Sequence, residues 1–143
     1  MGGITDIVIR GYIPFLANIG VLALLAWVVS NKGRELARSV GKPSLKFSLL
    51  IGGMFGATAA LLMNIPIELE PGIFGDGRAV PILLSGIFGG PVAALVSGAL
   101  AGAMRISLGG SGMFSGLIYI ATFVVASMLT FWVFCRRAGK LPN

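Results

Sequence analysis

The chain has 143 residues, 56% of them hydrophobic and only 11% charged, with a net charge of +6 and no histidine. Soluble domains carry about 25% charged residues, and the mean hydropathy here is +0.95, so a soluble globular enzyme, a disordered tail and a disulfide-stapled secreted module are all excluded. Without His there is no His-based acid–base chemistry or His-ligated metal, and the single Cys135 forms no internal disulfide.

A bilayer core of about 30 Å needs about 20 apolar helical residues. Residues 12–30 predict a first span, too long and without the cleavage pattern for a signal peptide. Residues 31–44 form a polar loop holding Lys32, Arg34, Glu35, Arg38 and Lys42. A second span follows over 45–64, with Lys46 at its start. Residues 65–78 read as a Pro/Gly-rich loop carrying Glu68, Glu70, Asp76 and Arg78. The next apolar run, 79–90, is short and broken by Gly89-Gly90-Pro91; about ten helical residues reach only about 15 Å. Residues 91–108 predict a fourth span, ending in the turn Gly109-Gly110-Ser111-Gly112. The last span, 113–135, is closed by Arg136, Arg137 and Lys140.

Charge sets the expected orientation. The basic loop at 31–46 and the basic tail after Cys135 both belong in the cytoplasm. The acidic loop at 65–78 then lies outside, and an odd number of crossings must follow. The sequence therefore predicts one all-α membrane domain over 1–143. It is a five-helix transmembrane bundle with a short, interrupted third helix, N-terminus outside and C-terminus cytoplasmic. Basic residues flank apolar segments and are not interleaved with aromatics, so no nucleic-acid partner is expected.

Small residues recur four apart at Gly52 and Gly56, Gly86 and Gly90, Gly98 and Gly102, and Gly112 and Gly116. Such stripes let membrane helices approach closely. Packing within the chain is the plain reading, and a homodimer contact is the functional one.

Arginine at the edge of an apolar span is a functional signal by default. Arg78 opens the short third span and Arg105 lies one turn from the end of the fourth. The predicted topology puts both outside, together with Asp76, Ser107 and the Gly109, Gly110, Ser111 turn that leads into the last helix. Helix N-termini favour anions, and an arginine can hold a small carboxylate through two bonds. Ser107, Ser111, Ser115 and Tyr119 are placed to orient the rest of it. The plain alternative is an Asp76–Arg78 pair at a loop end and an Arg105 that snorkels to headgroups. No catalytic constellation, cofactor motif or metal-ligand set is present.

The ordered set Gly75-Asp76-Gly77-Arg78-Ala79-Val80-Pro81, then Gly89-Gly90-Pro91, then Arg105 and Gly109-Gly110, resembles the five-transmembrane receptor module of the LytS/YhcK type. The resemblance covers residues 8–137. It implies a multi-pass sensor domain of the bacterial inner membrane, with Arg78 and Arg105 as the family's paired arginines. In LytS-like proteins such a module precedes a histidine kinase; in YhcK-like ones it precedes a diguanylate cyclase. Some kinase members respond to pyruvate and others are linked to cell-wall metabolism. The expected partners are thus a small anion, the lipid bilayer, a second copy of the chain and a cytoplasmic output module, for which these 143 residues have no room. Two other readings remain open on the residues: the substrate-binding membrane subunit of a vitamin-type uptake transporter, and a structural anchor or pore-former.

Overall fold

The computed structural model describes residues 12–31, 44–65, 67–70, 73–75 and 77–137. Its elements are α1 (Ile13–Asn31), α2 (Leu45–Met63), β1 (Ile67–Glu70), β2 (Ile73–Gly75), α3 (Ala79–Leu108) and α4 (Met113–Arg137). Each helix coincides with an apolar run, because a helix satisfies its own backbone polar groups without water. Ser44 begins α2, its Oγ accepting the Phe47 N–H at 3.3 Å. By length and composition α2, α3 and α4 can each cross a membrane, while the apolar part of α1 covers residues 13–27.

Two features differ from expectation. The segment read as a loop contains a small antiparallel hairpin, with Ile67 opposite Gly75 and Glu68 opposite Phe74. And the described residues form four helical elements where five separate spans were expected, because 79–108 is one element with a sharp bend. Asp76 and the basic loop at 32–43 lie outside the described residues.

The bend has a local cause. Gly90 has φ 77° and ψ −172°, a region essentially open only to glycine. Pro91 follows, with no N–H to donate and a φ suited to a first helical turn. The chain doubles back there. Ser85 Oγ lies 2.7 Å from Ser97 Oγ, whereas twelve residues of straight helix would separate them by about 18 Å. Thus α3 consists of a short arm, 79–89, lying antiparallel to a longer arm, 91–108.

Hydroxyls hold the short arm on three sides. The Gly89 carbonyl, at the break, accepts Ser48 Oγ at 2.7 Å. Ser127 Oγ donates to the Leu83 carbonyl at 2.8 Å and accepts the Gly86 N–H at 3.0 Å. Ser85 and Ser97 join the two arms, and both are fully buried. Hydrocarbon supplies no hydrophobic drive between helices, so such bonds and close packing must hold them. The glycines provide the packing. A Cβ on Gly52 would come within 2.8 Å of the Ala93 carbonyl, and one on Gly56 within 2.9 Å of Ser97 Cα. Gly98 is pressed against Val124 and Gly89 against Ile51, while Gly102 is looser, 3.7 Å from Leu117. Gly52, Gly56, Gly89 and Gly98 therefore serve packing within the chain.

These contacts fix the directions of the elements. Gly86 meets Ser127 and Arg78 meets Tyr119, so the short arm runs parallel to α4. Gly98 meets Val124 and Arg105 meets Gly116, so the long arm runs antiparallel to α4. α2 lies alongside the long arm in the same direction. Asn18 of α1 bonds the Ile65 carbonyl just past the end of α2. One end of the bundle therefore gathers the start of α1, the β-hairpin, Arg78, Arg105 and the start of α4. The opposite end gathers the start of α2, the Gly90 bend, Arg136 and Arg137. α4 is less enclosed than α2 or α3, and Phe114, Ile118, Val125 and Leu129 on it are exposed.

Candidate functional site

Arg78 occupies the position just before the short arm of α3, and its guanidinium carbon lies 5.0 Å from the centre of the Tyr119 ring. That is cation–π distance. Arg105 lies one turn before the end of the long arm. Because α3 doubles back, residues 27 positions apart in sequence reach the same end of the bundle.

The guanidinium of Arg105 rests on bare backbone of α4. A Cβ on Gly116 would overlap its Nε and come 3.0 Å from its Cδ; one on Gly112 would come 2.9 Å from its Nη2. Gly112, Gly116 and Tyr119 follow the i, i+4, i+7 spacing of one helix face. Both arginines therefore lie along a single stripe of α4. The Arg105 Nε is buried and has no hydrogen-bond partner among the described residues. A buried donor on a cation without an acceptor is costly.

The turn before α4 needs its glycines. Gly109 has φ 63° and ψ −150°, and Gly110 has φ 86°. The Gly109 N–H ends α3 on the carbonyls of Arg105 and Ile106, at 3.2 and 3.1 Å. α4 then begins at once, bringing the positive end of its dipole to the arginine end of the bundle.

The structure thus brings together Arg78, Arg105, Tyr119 and the Gly109–Gly110 turn. The serines are less committed to the stripe. Ser107, Ser111 and Ser115 are exposed. Ser107 Oγ donates to the Met104 carbonyl at 2.8 Å, and Ser115 Oγ to the Gly112 carbonyl at 3.0 Å. Gly89, Gly90 and Pro91 sit at the opposite end and form the bend. Cys135 is buried, and among the described residues no cluster of acidic or Cys side chains is suited to a metal.

Three features escaped the sequence reading: Gly112 and Gly116 as the seat of Arg105, the buried serines, and Asn18. The last had a signal, since it is a lone carboxamide within the apolar run of α1. Its side chain is 3% exposed.

The family model described as 5TMR of 5TMR-LYT matches residues 34–141. Two relatives named Sensor protein LytS, from two strains of Staphylococcus epidermidis, are each 26% identical over 133 residues. Each alignment covers 81% of this chain and 22% of the relative, so the chain spans about a fifth of the length of these curated relatives. No solved structure matches.

Proposed function

Since this chain belongs to the 5TMR-LYT family and is a membrane sensor module, we propose that it is the receptor for a small extracytoplasmic carboxylate, with pyruvate as the first ligand to test. The reading rests on one observation: Arg78 and Arg105 meet a single stripe of α4, and the Nε of Arg105 has no acceptor among the described residues. In this reading a carboxylate bridges the two guanidiniums beside the Gly109–Gly110 turn. Ser107, Ser111 and Ser115, all exposed, border it in this reading.

The chain crosses the bilayer five times in this proposal, α3 contributing two crossings. Its N-terminus is outside and its C-terminus in the cytoplasm of a bacterial inner membrane. The doubling-back at Gly90 supports the count. The gathering of Lys46, Arg136 and Arg137 at the end opposite the arginine site supports the orientation. Binding changes how the short arm packs on α4, and α4 carries the change to a cytoplasmic output module of histidine-kinase type. A homodimer would meet through the exposed face of α4, at Phe114, Ile118, Val125 and Leu129. The shift between signalling states equals the difference in affinity for the two packings and no more.

The test is calorimetric titration of pyruvate and related small carboxylates into the purified protein in detergent, with Arg78→Ala and Arg105→Ala alongside. Saturable binding lost in both variants is the expected result. No binding across the panel would reduce both arginines to structural roles.

A further inference from the structure

Asn18 is buried in α1, and its carboxamide is committed on both sides. Nδ2 donates to the Pro14 carbonyl at 2.9 Å within its own helix, and to the Ile65 carbonyl at 2.8 Å. Oδ1 accepts the Gly77 N–H at 3.2 Å. The last two bonds are made to the two ends of one excursion of the chain: Ile65 precedes the β-hairpin and Gly77 follows it. The residue after Gly77 is Arg78.

From this arrangement we infer that Asn18 is a positioning residue for Arg78. The inference rests on the reading of Arg78 as half of an anion site. The Arg78 side chain makes no capping bond to its own helix. Its backbone is fixed from the preceding residue, where a Cβ on Gly77 would already be 3.3 Å from Asn18 Oδ1 and 3.5 Å from both Leu22 and Leu62. Gly77 is thus held between α1 and α2, with the carboxamide supplying the directional contact. A residue that only filled space would make no bond to both ends of the excursion. Asn18 makes both, and so ties the hairpin base and the root of Arg78 to a helix that takes no part in the α4 stripe.

Amide hydrogen exchange in detergent micelles, resolved at Gly77 and at Gly116, tests the inference without any ligand. In Asn18→Ala the Gly77 amide should exchange about tenfold faster, as expected for loss of one hydrogen bond. The Gly116 amide, bonded to the Gly112 carbonyl within α4, should keep its rate. Asn18→Asp retains an acceptor for Gly77 while losing the donor to Ile65, and should preserve most of the Gly77 protection. Equal acceleration at both glycines, or none at Gly77, would overturn the inference. In a second arm pyruvate is titrated into wild type and Asn18→Ala. Affinity about tenfold weaker in the variant supports positioning, and unchanged affinity overturns it. A wild type that ignores pyruvate removes the carboxylate reading and leaves the Gly77 result to decide whether Asn18 fixes the root of Arg78.

Discussion

Replacing Gly86 with alanine probes the tightest contact of the short arm. The new methyl would overlap the Ser127 hydroxyl, with Ser127 Cβ at 3.0 Å and Ala94 Cβ at 3.2 Å beyond it. The Ser127 and Ala94 Cβ atoms are fixed to their helices, so only the Ser127 hydroxyl can turn away. Overpacking of this kind costs about 1–3 kcal/mol. Displacing Ser127 also breaks its bonds to the Gly86 N–H and the Leu83 carbonyl, worth about 0.6 kcal/mol each by membrane double-mutant cycles. Alanine regains up to about 1 kcal/mol of helix propensity. The net loss is therefore about 1–3 kcal/mol. Gly53 is the control: it lies in α2 with nothing within 4 Å of an added Cβ, so Gly53→Ala should be neutral or slightly stabilising. Reversible unfolding in mixed dodecyl-maltoside and dodecyl-sulfate micelles measures both. Adding Ser127→Ala to Gly86→Ala removes the overlap with the hydroxyl and should recover part of the loss. Gly86→Ala as stable as Gly53→Ala would refute the doubled-back packing of the arms against α4.

Two further predictions concern glycines with different tasks. Gly90→Ala places a side chain at φ 77°, ψ −172°, which costs about 1–3 kcal/mol; the same unfolding assay reads it, and a wild-type midpoint would contradict the bend. Gly116→Ala presses on Arg105 from its Nε back to its Cγ, so the guanidinium shifts, and overpacking of about 1–3 kcal/mol offset by up to about 1 kcal/mol of helix propensity leaves a loss of about 0–2 kcal/mol. Pyruvate affinity of the folded variant should fall about tenfold in calorimetry, and an unchanged affinity would detach Arg105 from the proposed site.

The helix ends were legible because apolar runs and their polar punctuation both act locally: Ser44, Asn64 and the Gly109–Gly110 pair each mark a boundary. Gly89-Gly90-Pro91 announced a break, since glycine and proline alter the backbone wherever they stand. What the break does was less visible. The meeting of Ser85 with Ser97 depends on the backbone angles at a single residue, and no periodicity in the sequence encodes it. Arg78 and Arg105 were conspicuous as cations beside apolar spans. Their shared seat was not, because a glycine that receives a guanidinium looks like any other small residue of a packing stripe. Asn18 was passed over for a similar reason: its partners are backbone groups at Ile65 and Gly77, which carry no signature in a one-letter sequence.

The uninterrupted course of α4 has a mechanical consequence. No proline or irregular residue breaks it between Met113 and Arg137. From Gly116 to Arg136 it is about 30 Å long at about 1.5 Å per residue. Its outward face is exposed at Phe114, Ile118, Val125 and Leu129, and the Arg136 guanidinium carbon lies 4.1 Å from the centre of the Trp132 ring, a pairing suited to the headgroup boundary. Such a rod works as a lever. A tilt of about 2° pivoting at the arginine seat displaces the Arg136 end by about 1 Å, so a small change in angle at one end of the bundle becomes an atomic-scale movement at the other.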